Sequence, residues 1–394
     1  MASVSIYLGS KGSVYNMKKP TNAPKSKKSE SPLEDSDDEE EAIESLTSGH
    51  AFMIPIIGSV VLFSTYFAYT YVNMEYINYA LTAYFSIMGY AAVTKTSLDL
   101  VKGVVPVQCL HYIDRYEVTI SKESKNLSRF HFTLIHFIIL LTSVVLSVYY
   151  SLTKHWIISN LFGLSFSINA IQLLSIDSFK TGIIMLSGLF LYDIFWVFYT
   201  PIMISLTSQL DAPIKLVWPG NMFEMSSFTL LGLGDILIPG LFIAFTLRFD
   251  RHMSWESRPQ GSFRSTHFSK PYFIASFTAY ILGLVATLMY IHDKSQPALL
   301  YISPACILSV LITASVRGEL STLFSYKIKQ EEERPKKKMI ERKKAVQKPE
   351  KKEPQVNLEQ EVVQEPEKKK TLKQEIVVEP EKKSSPKKKR SSKK

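Results

Sequence analysis

The chain has 394 residues, 46% of them hydrophobic, a mean hydropathy near zero and a formal net charge of +10. Those averages would suit a soluble protein, but the apolar residues are concentrated between about 51 and 317 and leave strongly polar ends, which excludes one ordinary soluble core. The basic balance does not point to nucleic acid either, because residues 327–394 hold 24 Lys or Arg against 13 Glu and the rest of the chain is close to neutral.

In chain order, residues 1–50 read as a polar, acidic N-terminal tail ending in EDSDDEEEAIE (34–44). The first apolar run begins too far in for a removable signal peptide and is taken as a retained span. Eight runs reach membrane length, at about 51–72, 76–94, 130–152, 156–175, 180–199, 226–247, 271–291 and 297–316. The expected fold is therefore an all-α polytopic membrane protein of about eight transmembrane helices, with a multi-spanning domain over 51–326.

Orientation follows from basic residues in the short loops. Loop 95–129 carries Lys95, Lys102, Arg115, Lys122, Lys125 and Arg129, and loop 248–270 carries Arg248, Arg251, Arg258, Arg264 and Lys270. The alternate loops hold at most one each, namely Lys154, Lys215 and Lys294. The basic loops and both termini are expected in the cytosol.

Residues 327–394 repeat PEKK at Pro349, Pro366 and Pro380, and have no aromatic residue. Such a segment cannot bury enough apolar surface to fold alone, so a disordered cytosolic tail is expected. Its lysines suit anionic lipid, whereas nucleic-acid binding would call for interleaved aromatics. Cys109 falls in a cytosolic loop and Cys306 in the last span, so no disulfide between them is expected, and no CxxC pattern is present.

Asp193 and Asp235 are the only Asp, Glu, Lys or Arg residues in the interior of any apolar run. An ionisable group at that depth costs at least ~3 kcal/mol on insertion scales and is usually kept for function. Asp193 stands 13 residues after Lys180, and Asp235 stands 13 before Arg248. In consecutive antiparallel spans both offsets count from the same membrane face, which places the two carboxyls level, roughly 20 Å in.

A zinc protease would need a pattern such as HExxH, which none of the eight histidines supplies. A serine type would want GxSG, but Met185-Leu186-Ser187-Gly188 lacks the first glycine. Two facing carboxyls remain. In low dielectric they share one proton, so one can draw a proton from water while the other hydrogen-bonds a carbonyl. No cofactor or metal is needed. Gly232 and Gly234 around Leu233 would loosen backbone beside an acid, although small residues also serve plain helix packing. Pro297-Ala298-Leu299 is by itself only a common helix start.

Taken in order, Tyr192-Asp193, Gly232-Leu233-Gly234-Asp235 and Gln296-Pro297-Ala298-Leu299 resemble the motifs of the presenilin-related GxGD intramembrane aspartyl proteases. The wording KHWIISNLFGLSFSINAIQLL (154–174), DAPIKLVWP (211–219) and PALLYISPACI (297–307) resembles the signal peptide peptidase branch of that family. The resemblance implies an endoplasmic reticulum protease that cuts type II transmembrane segments and remnant signal peptides. It also implies that Asp193 and Asp235 form the catalytic dyad, with Tyr192, Gly232, Leu233, Gly234, Gln296, Pro297, Ala298 and Leu299 shaping the site. Relatives typically have nine spans, so the first is expected to be missing, with residues 1–50 in its place. The chain ends in Ser391-Ser392-Lys393-Lys394, where a dilysine retrieval signal would want the lysines earlier. Residence in the endoplasmic reticulum thus rests on the resemblance.

The expected partners are transmembrane peptides, membrane lipid and, as an open alternative, a second copy of the chain, with no nucleic acid. Rival functions are a presenilin-like protease, for which a spacing of 42 residues between the acids is too short, a carrier using the acids as ion ligands, and a non-proteolytic scaffold for helical clients.

Overall fold

The structure is a computed structural model that describes residues 1–15, 17, 44–71, 73–105, 115–122, 125–200, 212–219, 228–257, 268–290 and 298–327. All of them belong to one compact unit, Met1–Glu331. The Lys- and Glu-rich tail beyond 327, most of the acidic stretch, Cys109, Gln296 and Pro297 lie outside the described residues.

The architecture is predominantly helical. Helix α1 spans Ala2–Tyr15, α2 Ser48–Tyr71, α3 Met74–Val104, α4 Leu134–Thr153 and α5 Trp156–Leu173. After these come α6 Phe179–Phe198, α7 Gly234–Ser257, α8 Pro271–Tyr290, α9 Leu299–Arg317 and the short α10 Leu320–Ser325. Among the described residues three two-stranded sheets, which helical periodicity alone does not anticipate, join them. Strand β1 (Glu44–Leu46) runs parallel to β4 (Leu174–Ile176), β2 (Arg115–Lys122) pairs with β3 (Lys125–Thr133), and β5 (Lys215–Pro219) pairs antiparallel with β6 (Phe228–Gly232).

Among the described residues six helices are long and apolar enough to cross a membrane: α2, α4, α5, α6, α8 and α9. The two other long helices match expected spans but are more polar. Helix α3 is diluted by tyrosines and by Glu75, Lys95, Asp99 and Lys102. Run 226–247 is divided: its first part is strand β6, and α7 then continues past Arg248 to Ser257.

Residues 2–15 depart from the polar-tail expectation, because α1 packs against α5 and α7. Lys11 is the only charged side chain in this helix, and Ala2, Ser5, Ile6, Gly9, Ser10 and Ser13 are buried. A Cβ at Gly9 would lie 2.8 Å from Ile171 Cβ, and one at Gly12 would collide with the Gln172 side-chain amide. Glycine at both places lets the backbones approach closely. At the far end of α1 the buried Arg248 Nε donates to Ser13 Oγ at 3.3 Å.

Helix α7 is the core of the unit, buried continuously from Pro239 to Arg251. Its lower end is fixed by Asp250, whose carboxylate accepts from the backbone N–H groups of Tyr272 (3.3 Å) and Phe273 (2.8 Å) and so caps the start of α8. Glu319 joins the ends of α8 and α9 by accepting from Tyr272 Oη at 2.7 Å and from Arg317 Nε at 3.0 Å. The hydrogen bond from Arg317, aided by Tyr272, holds the Glu319 carboxyl below its ordinary range. By contrast α2 and α4 present exposed Phe, Ile, Val and Leu over most of their length, the surface that lipid would cover.

Candidate active site

Asp193 lies within α6, a helix started by Ser178, whose hydroxyl accepts from Thr181 N–H. Helix α2 braces it from the side. Trp196 Nε1 donates to Ser59 Oγ at 3.1 Å, Gly58 leaves room for the half-buried Tyr192 ring, and a Cβ at Gly188 would stand 3.1 Å from Pro55 Cγ. Asp193 is only 6% exposed. Its carboxylate lies beside the Leu299 backbone N–H, and Oδ2 is buried without a hydrogen-bond partner among the described residues.

Asp235 stands in the first turn of α7, where it is reached through a strand and a turn. Leu233 N–H donates to Ile214 O at 2.9 Å, and Leu233 O accepts from Ile236 and Leu237, which starts the helix. The carboxylate folds back over the Gly232 backbone. A Cβ at Gly232 would come 3.1 Å from Asp235 Oδ2, so only glycine leaves this approach open without a shift. Gly234 is exposed, and a Cβ there would meet none of the described residues within 4 Å. Pro239 has no N–H to donate to the carbonyl of Asp235 four residues earlier, which loosens the first turn.

The acids interact electrostatically across the α6–α7 interface. The intervals from Lys180 to Asp193 and from Asp235 to Arg248 are helical throughout, so the rise per residue used for the level argument applies to both. Ala298 and Leu299 are buried, and the Ala298 carbonyl accepts from Tyr301 and Ile302 N–H at the start of α9 and from Thr287 Oγ1 at 3.5 Å. Among the motif residues, then, Asp193, Gly232, Asp235 and Leu299 are joined by direct contacts or electrostatic interaction, Leu233 and Gly234 form the turn, and Tyr192 faces α2. No group of three or more His, Cys, Asp or Glu among the described residues is arranged to hold a metal ion.

Three features of the site were not apparent in the sequence. Strand β5 falls where a lumenal loop was expected: Lys215 pairs with Gly232, three residues from Asp235. Asn160 on α5 holds that strand. Tyr280 on α8 is fully buried, its hydroxyl has no hydrogen-bond partner among the described residues, and it lies within electrostatic range of Asp235. Only Asn160 left a trace, as a polar residue inside an apolar run.

A family model described as signal peptide peptidase matches residues 38–330. Mouse and human signal peptide peptidase are 39% and 38% identical to the chain over 303 residues, covering 74% of this chain and 75% and 76% of theirs. A probable intramembrane protease of Schizosaccharomyces pombe is 35% identical over 285 residues, covering 72% of this chain and 84% of its own.

Proposed function

The chain belongs to the signal peptide peptidase family of intramembrane proteases, and from that premise we propose that it cuts membrane-embedded peptides with Asp193 and Asp235 as an aspartyl dyad. One carboxyl is ionised and one neutral. The ionised member takes a proton from water as the water oxygen bonds to the scissile carbonyl carbon, and the neutral member gives its proton to the carbonyl oxygen. The resulting gem-diol collapses as one hydroxyl gives its proton to the ionised acid and the neutral acid protonates the leaving nitrogen, which again leaves one charged and one neutral acid. Either aspartate can begin as the base.

The observation that carries this reading is the Asp235 carboxylate folded over Gly232, within electrostatic range of Asp193 and next to space at Gly234 that no described residue fills. A helical substrate ties up its carbonyls in its own hydrogen bonds, so cutting requires a locally unwound segment. The β5–β6 hairpin supplies extended backbone beside Asp235 against which such a segment could lie. The proposed substrates are type II transmembrane segments and remnant signal peptides in the endoplasmic reticulum membrane, with both termini of the enzyme in the cytosol. Gln296 and Pro297 are proposed to border the substrate with Ala298 and Leu299.

Purified protein in detergent, given a type II transmembrane peptide with products assigned by mass spectrometry, tests the reading. Cuts inside the apolar segment that persist in EDTA are expected. An intact peptide, or activity lost to EDTA and restored by zinc, overturns it.

A further inference from the structure

Resting on the protease reading above, we infer that one face of α5 seats the β5–β6 hairpin and that Asn160 is a positioning residue for Asp235. The face is Trp156, Asn160 and Gly163, spaced four and then three residues apart and therefore aligned on one side of the helix. Each of the three meets the hairpin. Trp156 packs edge-on against Trp218 with ring centroids 6.3 Å apart. A Cβ at Gly163 would lie 3.2 Å from Leu216 Cδ2, 3.4 Å from Pro213 O and 3.5 Å from Leu233 Cδ1.

Asn160 makes the specific contact. Its side chain is almost fully buried, Nδ2 donates to Val217 O at 2.7 Å, and Oδ1 accepts from Val217 N–H at 2.8 Å. The side-chain amide thus satisfies one strand residue as a neighbouring strand would, and only one orientation of the amide makes both bonds. Residues along an antiparallel strand point their N–H and C=O alternately to the two edges. With Val217 bonded to Asn160, its polar groups point away from β6, which fixes β5 against α5.

From there the connection to the acid is short. Val217 stands opposite Leu230 in β6, Leu233 donates to Ile214 at the end of the hairpin, and Asp235 follows two residues later. A second buried amide on the same helix offers a contrast. Asn169 donates to Ala92 O, Thr96 Oγ1 and Ser165 O, so it ties helices together and makes none of these bonds to a strand. A buried asparagine that only stabilises the bundle would look like Asn169. Asn160 grips the segment that delivers Asp235.

The test uses the full chain in detergent with a type II transmembrane peptide, comparing Asn160→Leu, Asn160→Asp and Asn169→Leu. Asn160→Leu removes both bonds at similar size, while Asn160→Asp sets a carboxylate oxygen against the Val217 carbonyl. Both are expected to lower kcat by about 10–100-fold per active site titrated with a hydroxyl-bearing transition-state mimic, with KM little changed and the cut positions redistributed. Hydrogen exchange at 212–219 should quicken while that of 179–198 stays as in the wild type. Asn169→Leu should keep the wild-type kcat per titrated site and the same cuts. If Asn160→Leu does not accumulate, Gly163→Ala displaces the same hairpin more gently and should give a smaller loss with the same redistribution. Wild-type rates and cuts in the seat variants, or unchanged exchange at 212–219, overturn the inference. If the wild type itself fails to cut, the protease reading falls, and the exchange measurement still decides whether Asn160 holds the hairpin.

Discussion

Asp193 lies well inside α6, a continuous helix from Phe179 to Phe198 braced by α2, whereas Asp235 stands in the first turn of α7 and inherits its place from a strand and a glycine turn. The first acid is held by helix packing, through Trp196 to Ser59 and Gly188 to Pro55. Backbone hydrogen bonding holds the second, through Leu233 to Ile214 in the turn before it, with the carboxylate folded over Gly232. One half of the site is therefore fixed by a rigid helix. The other sits where the backbone changes from extended to helical, which is where an unwound substrate could reach it.

The strongest way to break the comparison is to remove either acid. Asp193→Ala and Asp235→Ala should each abolish peptide cleavage while the protein still accumulates in the membrane, because in the proposed dyad each helix supplies half of a shared proton arrangement. Retention of more than a few per cent of wild-type activity by either variant would show that the halves are not equivalent partners.

Next in size is a matched pair of methyl insertions. Gly232→Ala places a Cβ 3.1 Å from the Asp235 carboxylate, and Gly188→Ala places one 3.1 Å from Pro55 Cγ. The first should lower kcat by about 10–100-fold by turning the acid aside. The second should change the rate per folded molecule much less, since only a helix contact must adjust. Equal losses in steady-state kinetics would erase the distinction drawn between α6 and α7.

Smaller still is Gly234→Ala, whose Cβ enters open space. It should leave thermal stability unchanged or slightly raised, because alanine has less freedom to lose on folding, while KM for a transmembrane peptide rises. An unaltered KM would mean that substrate does not occupy the space beside Gly234. The smallest effect is expected from Trp196→Phe, which deletes the donor to Ser59. About 1 kcal/mol of stability should be lost in denaturation, with activity per folded molecule preserved.

The acids stood out because a charge inside an apolar run is a local signal, and the 13-residue offsets on which the expectation of a common depth rests are helical in both α6 and α7. The hairpin was not. Phe228–Gly232 is a short apolar stretch continuous with the helix that follows, and periodicity alone does not separate a buried strand from a helix over five residues. Its partner lay in a segment assigned to a loop by its single Lys215. Helix α1 was hidden by small residues that look polar in composition yet suit close packing, and Asn160 carried no hint of the strand it holds until the tertiary fold placed Val217 beside it.

Binding of a hydroxyl-bearing transition-state mimic tests the central claim, that two acids on differently built helices act as one unit. The mimic should bind the wild type, while Asp193→Asn and Asp235→Asn, each verified as folded, should both lose that binding, because the hydroxyl takes the place of the water and carbonyl oxygen held between the two carboxyls. Wild-type affinity retained by either variant would contradict the dyad and leave a single acid to account for the chemistry.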